Sequence, residues 1–156
     1  LHDDLPEFIA KIKDMGFAVK LDTNGITPRM LARMFDNHLI DYVAMDIKHR
    51  WRNYQTIANI KEEKQSMLSR CKETFDMIRA SGVPYEWRST LLPGVHTEED
   101  VVAMAEGFLP GEQYYLQTMN YRVTLKKDLD QTKALDVVGI AKRLKMRFPQ
   151  LLIDCR

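Results

Sequence analysis

The chain has 156 residues, of which 45% are hydrophobic, and this is enough for one domain with a packed core. Its 23 basic and 22 acidic residues almost cancel, which excludes the strong positive field of nucleic-acid or anionic-membrane binding proteins. No apolar run approaches the roughly 20 residues that span a bilayer, and no signal-peptide pattern is present. We therefore expect a cytoplasmic protein without nucleic-acid or membrane partners.

The first third of the chain alternates between helical and strand patterns. An apolar stripe at helical spacing, ended by Gly16, predicts a first helix, and its members are Leu5, Phe8, Ile9 and Ile12. The short apolar run 17–21 predicts a strand. Thr27 and Pro28 are an N-cap and a first-turn proline, which predict a second helix. The run 39–47 is rich in β-branched and aromatic residues and predicts a second strand, buried on both faces as parallel strands are.

The alternation continues to the carboxyl end. A stripe ended by Gly82 predicts a third helix, and it consists of Leu68, Cys71, Phe75 and Ile78. Strands are predicted at 85–92, 113–118 and 151–154. Between the first two of these, Thr97 and Asp100 have the spacing of a capping box and predict a helix that carries Val101, Val102, Ala105 and Phe108. A last helix is predicted from Leu135, Val138, Ala141 and Leu144.

Single helices between strands predict parallel pairing, so the carboxyl ends of all strands should lie on one rim. Ligands bind at this rim in barrels and open α/β sheets. The polar residues expected there are Asp22, Thr23, Asn24, Asp46, Lys48, residues 88–96 and residues 117–120. A closed barrel needs about eight strands, but only four or five are predicted here. We therefore predict a partial (β/α) barrel with helices outside, formed by one domain over residues 1–156.

Several of these motifs resemble radical S-adenosylmethionine enzymes, specifically the activating proteins of anaerobic ribonucleotide reductase and the related pyruvate formate-lyase activating enzymes. The similar stretches, in order, are Leu1-His2-Asp3-Asp4-Leu5, Asp22-Thr23-Asn24-Gly25, Asp46-Ile47-Lys48, Arg88-Ser89-Thr90, Pro93-Gly94-Val95-His96 and Tyr115-Leu116-Gln117. The family's three-cysteine cluster loop and Gly-Gly-Glu-Pro strand would precede Leu1. The resemblance therefore implies the carboxyl-terminal portion of a radical S-adenosylmethionine barrel, inactive alone.

The resemblance also implies a chemistry. In the family, a four-iron four-sulfur cluster reduces S-adenosylmethionine, and the resulting 5'-deoxyadenosyl radical abstracts a hydrogen atom from a glycine of the partner. The implied cofactor contacts are Asp22, Thr23, Asn24, Asp46, Lys48, Arg88 and His96. Asp22, Thr23, Asp46 and the Ala44 carbonyl are implied ligands of a monovalent cation, since hard cations prefer oxygen.

No catalytic residue is assigned, and no iron–sulfur ligand is expected in this chain. The implied partners are a glycyl radical enzyme, of the anaerobic ribonucleotide reductase or pyruvate formate-lyase type, and an electron donor such as flavodoxin or ferredoxin.

Simpler interpretations of the same residues stay open. Asp22-Thr23-Asn24-Gly25 has the composition of an ordinary turn, and Asp46 has that of a helix cap. Lys48 is able to begin a solvated basic loop with His49, Arg50 and Arg52, and His96 follows a Pro-Gly turn where it would be exposed. Cys71 and Cys155 have no metal-like spacing and are interpreted as structural.

Two other functions also fit the predicted barrel. Lys48 at a strand end is able to form a Schiff base with a carbonyl substrate, with Asp22 or Asp46 transferring protons. Alternatively, the chain is a non-catalytic half that docks a partner protein.

Overall fold

The computed structural model describes residues 2–54, 64–119 and 135–156. They contain one parallel sheet with the strand order β1-β2-β3-β4-β5. The strands are Lys20–Thr23 (β1), Tyr42–Asp46 (β2), Tyr85–Leu91 (β3), Gln113–Thr118 (β4) and Leu152–Cys155 (β5). The helices are Leu5–Asp14 (α1), Pro28–Asp36 (α2), Lys64–Ala80 (α3), Glu98–Ala105 (α4) and Val137–Arg147 (α5), with a short 3-10 helix at Trp51–Asn53. The predicted α/β class with parallel strands is confirmed, and it is consistent with a partial barrel.

The described residues pack as two compact units. The first consists of residues 2–46 and 64–86, and the second consists of residues 47–54, 87–119 and 135–156. Strand β3 contributes to both, because the boundary falls between Glu86 and Trp87.

In the first unit, β1 pairs with β2 so that Lys20 lies opposite Tyr42 and Asp22 lies opposite Ala44. Alternate residues of a strand point to opposite faces of the sheet. Val43 and Met45 are fully buried. The other apolar residues of this core come from the three helices and include Ile9, Leu31, Met34, Phe75 and Ile78.

In the second unit, β4 lies between β3 and β5. Trp87 and Tyr114 are register partners, both fully buried, and the ring of Phe108 lies 6.0 Å from the first and 4.7 Å from the second. The predicted capping box is confirmed: Thr97 Oγ1 accepts a hydrogen bond from Asp100 N–H, and the Asp100 carboxylate accepts one from Thr97 N–H. Helix α4 therefore begins where the sequence indicated.

Several strand boundaries were predicted wrongly. Strand β1 covers Lys20–Thr23 rather than 17–21, so Asp22 and Thr23 lie inside the strand, while Phe17 is 58% exposed. Strand β2 begins at Tyr42, not at residue 39. Pairing with a neighbouring strand defines these ends, and hydrophobicity alone does not report pairing. The prediction for β3 is one residue too long at its carboxyl end, the prediction for β5 is shifted by one residue at both ends, and the prediction for β4 is confirmed.

Two helical stripes were also misplaced. Helix α5 begins at Val137 and buries Val137, Ile140, Ala141 and Leu144, so Leu135 precedes it and Val138 is 51% exposed. Phe8 in α1 is 58% exposed. When a short helix has apolar residues at adjacent positions, more than one of its sides could face the core. The packing of the helix against the sheet decides which side is buried. Phe108 is buried although α4 ends at Ala105, and Thr27 precedes α2 without a side-chain capping bond.

Candidate functional site

The loop that follows β1 carries the first group of predicted site residues. Thr23 Oγ1 accepts a hydrogen bond from Gly25 N–H at 3.1 Å, and Asn24 Oδ1 accepts one from Ile26 N–H at 3.2 Å. Side chains of this kind stabilise tight turns by pairing with the backbone two residues on. Gly25 has a φ of +82°, which glycine adopts without strain. The motif is thus a side-chain-stabilised turn as well as a run of polar groups.

Two side chains of helix α3 contact the backbone of this turn. Thr74 Oγ1 donates a buried hydrogen bond of 2.8 Å to the Gly25 carbonyl, and Cys71 Sγ lies 3.5 Å from the Asn24 carbonyl. A Cβ atom at Gly25 would collide with Cε of Met45 and touch Cys71. The turn is therefore fixed from both sides. The sequence analysis placed Cys71 on a buried stripe but missed Thr74, because a polar residue on a helix gives no signal of its distant partner.

The carboxyl edge of β1 and β2 brings together oxygen donors predicted to bind a cation. Asp22 lies opposite Ala44 in the parallel register, and Asp46 follows two residues later on the same face as Ala44. Register partners in a sheet share a face, so the side chains of Asp22, Ala44 and Asp46 lie on one face of the edge, whereas the Ala44 carbonyl lies in the plane of the sheet. Thr23 alternates to the other side. Carboxylate and carbonyl oxygens are the ligands that a hard cation prefers, so these donors have suitable chemistry, and the cation site stays a prediction.

A buried carboxylate at the other end of the same strands was missed. Glu86 is 2% exposed; Lys20 Nζ lies 3.0 Å from its Oε1, and the Tyr42 hydroxyl donates to its Oε2 at 3.0 Å. A buried carboxylate is stable only when it is paired and hydrogen-bonded. The alternation in β3 between polar Glu86, Arg88 and Thr90 and the buried Trp87, Ser89 and Leu91 was the available signal.

In the second unit, the backbone after β2 is held at consecutive positions. Ile47 N–H donates to the Arg88 carbonyl at 2.7 Å, and the Ser89 hydroxyl donates to the Ile47 carbonyl at 2.6 Å. Lys48 N–H donates to the Tyr54 hydroxyl at 3.4 Å, and the Lys48 carbonyl lies 2.8 Å from Nε2 of His96. The segment that carries Lys48 is therefore ordered by the fold rather than left as an open loop.

His96 is buried, at 3% exposure, so the interpretation of an exposed turn residue is wrong. Its Nδ1 accepts a hydrogen bond from Leu92 N–H at 2.9 Å. A neutral imidazole has one acceptor and one donor nitrogen. Since Nδ1 is the acceptor, Nε2 carries the hydrogen and donates it to the Lys48 carbonyl. Both ring nitrogens are thus committed to backbone groups of the second unit.

His49 is also buried, at 2% exposure, which contradicts a fully solvated loop after Lys48. Its ring stacks on His96 with the centroids 5.0 Å apart, and its Nδ1 accepts from Arg50 N–H. Burial lowers the pKa of His49, while the nearby Asp100 carboxylate opposes this effect. Arg50 is half-buried and places its Nε 2.9 Å from Asp100 Oδ1.

The charge of Asp100 is preserved despite its burial. Burial acts to raise the pKa of this carboxyl, but the backbone and hydroxyl bonds from Thr97, with the charges of His49 and Arg50, hold the pKa below its usual value. Asp100 therefore caps α4 and compensates the basic residues beside it.

Arg88 is half-buried and lies on the same face of β3 as Thr90, opposite Tyr115 of β4. Thr90 Oγ1 lies 3.3 Å from Gln117 Oε1 on the adjacent strand. This face of β3 and β4 is polar, whereas the opposite face is the apolar core. Among the sequence-predicted residues, Leu1 and Asn120 lie outside the described part of the chain.

In the described ranges, no three His, Cys, Asp or Glu side chains are grouped so as to hold a metal ion. Cys71 is buried in α3, Cys155 lies in β5, and both are free thiols. The described residues therefore do not fit an iron–sulfur cluster. None of the helices in these ranges is both long enough and apolar enough to cross a membrane.

Comparison with known proteins indicates which class of enzyme this chain is similar to. No protein-family model matches the chain. A protein of Methanocaldococcus jannaschii, provisionally named a glycyl-radical enzyme activating enzyme, is 32% identical over 115 residues, which are 74% of this chain and 48% of that relative. The chain thus spans about half the length of the curated relative it matches. This similarity supports the general class of glycyl-radical enzyme activating enzymes that the motifs resemble.

Proposed function

We propose that this chain is part of an activating enzyme that uses S-adenosylmethionine to remove a hydrogen atom from a glycine of a glycyl radical enzyme, namely anaerobic ribonucleotide reductase. The observation that carries the proposal is the β1–β2 edge, where Asp22 lies opposite Ala44 and Asp46 follows on the same face. The turn beside this edge is anchored by α3. The similarity to the archaeal relative supports the same class.

In this proposal, the edge holds a monovalent cation and, through it, the carboxylate of the cofactor. Asp22, Asp46 and the Ala44 carbonyl supply the oxygen ligands, whereas Thr23, whose side chain lies on the other face and accepts the Gly25 N–H bond, is left out of the set. Two protein carboxylates alone would repel the cofactor carboxylate, and a cation between them converts this repulsion into attraction. Asn24 presents its remaining polar groups to the cofactor from the adjacent turn.

The second unit supplies cationic donors. Lys48 and Arg88 bind either the cofactor carboxylate or the glycine-bearing loop of the partner, since both present anionic or carbonyl oxygens. The iron–sulfur cluster of the family supplies the electron for cleavage of the cofactor. Because this chain has two cysteines, the three cluster ligands and the docking surface for flavodoxin or ferredoxin are proposed to belong to another part of the complete protein.

The proposal is tested on the complete protein that contains this chain, reconstituted anaerobically with S-adenosylmethionine and a reductant. We expect 5'-deoxyadenosine, measured by chromatography, and a glycyl radical signal in electron paramagnetic resonance when anaerobic ribonucleotide reductase is added. A radical on pyruvate formate-lyase alone would correct the partner. Absence of 5'-deoxyadenosine, with borohydride trapping of a carbonyl compound on Lys48, would overturn the class in favour of a Schiff-base enzyme.

A matched pair of variants tests the edge itself. Asp46→Asn removes one charge from the proposed cation site, and Asp36→Asn removes one from the exposed end of α2. Loss of a charged ligand contact costs about 1.5–3 kcal/mol, so we expect roughly tenfold or more weakening of S-adenosylmethionine binding for Asp46→Asn only. Equal effects of the two variants would contradict a site at this edge.

A further inference from the structure

The turn after β3 is joined to the backbone of Lys48 by one imidazole, that of His96. We propose that His96 is a positioning residue: it fixes the peptide group from which the Lys48 side chain starts, and so sets the reach of that ammonium group. The consequence for cofactor binding rests on the function proposed above. The clamp itself, meaning the two bonds of the His96 ring to Leu92 and Lys48, rests on the geometry.

On the side of β3, the ring closes its own turn. Val95 N–H and His96 N–H donate to the Leu92 carbonyl at 3.2 and 3.0 Å, and Leu92 N–H donates back to Nδ1 of His96 at 2.9 Å. Gly94 has a φ of +74°, which suits the reversal of the chain. The ring orientation is therefore determined within the turn before it contacts Lys48.

After β2, the His96 ring bonds to the Lys48 carbonyl, and the neighbouring backbone groups of Ile47 and Lys48 have hydrogen bonds of their own. Ile47 is held by Arg88 and Ser89, and Lys48 N–H is held by Tyr54. Removal of the imidazole would take away the bond that the Lys48 carbonyl accepts from Nε2, which is part-buried. One hydrogen bond is worth about 0.5–1.5 kcal/mol, which is sufficient to shift the position of a loop residue.

The stacked ring of His49 keeps the clamp in place. It packs on His96 at a centroid distance of 5.0 Å, and its Nε2 lies 3.9 Å from Oδ2 of Asp100, which is paired with Arg50. His96 has 3% exposure and uses both nitrogens on backbone groups. It is thus unable to contact a ligand without breaking one of these bonds, and its effect on binding passes through Lys48.

Two substitutions separate the two bonds of the ring. In His96→Asn, the amide oxygen takes the place of Nδ1 and retains the bond from Leu92, but the side chain is too short to reach Lys48. In His96→Gln, the amide nitrogen takes the place of Nε2 and retains the bond to the Lys48 carbonyl. Both variants lose the stacked ring, so their losses in thermal stability are expected to be similar.

The first readout is hydrogen exchange of the peptide 46–54, measured by mass spectrometry on the complete protein. We expect faster exchange in His96→Asn than in His96→Gln, because only the first variant releases Lys48. The second readout is the Kd for S-adenosylmethionine, measured well below the Tm of both variants. One neutral hydrogen bond is worth about 0.5–1.5 kcal/mol, so we expect a Kd about 3–10 times higher for His96→Asn and within about twofold of wild type for His96→Gln.

Equal exchange rates in the two variants would overturn the clamp, and equal Kd values for S-adenosylmethionine would overturn its role in positioning. If wild-type protein fails to bind S-adenosylmethionine, the proposed function is wrong, and the exchange experiment still decides whether His96 holds Lys48. If His96→Asn does not fold, His96→Gln is compared with wild type. A Kd raised more than about tenfold in that variant would overturn the proposal.

Discussion

Substitution of Gly25 by alanine tests whether the turn after β1 is fixed by close packing. Gly25 has a φ of +82°, and a left-handed conformation costs an alanine about 1–2 kcal/mol. The added Cβ would also collide with Met45 Cε and lie 3.4 Å from Cys71 Cα. Met45 is fully buried, so moving its methyl group costs about 1–3 kcal/mol more, as overpacking does. Together these effects predict a destabilisation of about 2–5 kcal/mol.

Gly82→Ala is the matched control. Gly82 has a φ of +73°, but nothing lies within 4 Å of a Cβ placed there. The control therefore pays only the conformational cost, about 1–2 kcal/mol. Urea denaturation followed by circular dichroism gives both values, and a chain of this length loses about 2–4 °C of Tm per kcal/mol. Equal destabilisation by the two substitutions would refute the close packing of Gly25 against Met45 and Cys71.

Three further variants probe buried polar groups. Thr74→Val removes the donor of the 2.8 Å bond to the Gly25 carbonyl and should lower the free energy of unfolding by about 1–3 kcal/mol in urea denaturation. Lys20→Met should cost a similar amount, about 1–3 kcal/mol by the same measurement, because the buried Glu86 side chain loses its 3.0 Å ion pair. His49→Gln should flatten the loss of stability between about pH 7 and pH 5, measured as the pH dependence of Tm, because burial lowers the pKa of His49 below its ordinary value of about 6.5.

The sign of the pH effect follows from linkage. The unfolded chain protonates His49 more readily than the folded protein does, so stability is present above pH 6.5 and falls as the pH decreases through the lowered pKa. Asp41 and Asp100 have lowered pKa values, and their contribution is lost at still lower pH. An unchanged profile in His49→Gln would contradict this assignment.

Substitutions of surface residues are the controls for Thr74→Val and Lys20→Met. Thr118→Val changes an exposed threonine at the end of β4 and should stay within about 0.5 kcal/mol of wild type. Lys13→Met breaks a 2.7 Å ion pair with Asp41, which is 41% exposed, and should cost at most about 1 kcal/mol. A larger loss for Lys13→Met than for Lys20→Met would show that carboxylate burial does not decide the cost.

Local sequence patterns accounted for the order of the elements. The capping box at Thr97 and Asp100 was predicted correctly because both of its bonds join residues three apart in the chain. An ordinary turn was an open alternative for Asp22-Thr23-Asn24-Gly25, and a turn does follow β1, because the side-chain bonds of Thr23 and Asn24 span only two residues. Its proposed role in binding S-adenosylmethionine came from the resemblance and stays a prediction.

The amino-acid sequence by itself determined the α/β alternation, the parallel sheet and the polar residues at the ends of its strands, because periodicity and turn chemistry act over a few residues. Only the tertiary structure decided which polar groups are buried and what they contact. Glu86 meets Lys20 across 66 residues, and His96 meets Lys48 across 48. Such contacts depend on strand register and helix packing, so a histidine that reads as an exposed turn residue becomes a buried link between two loops.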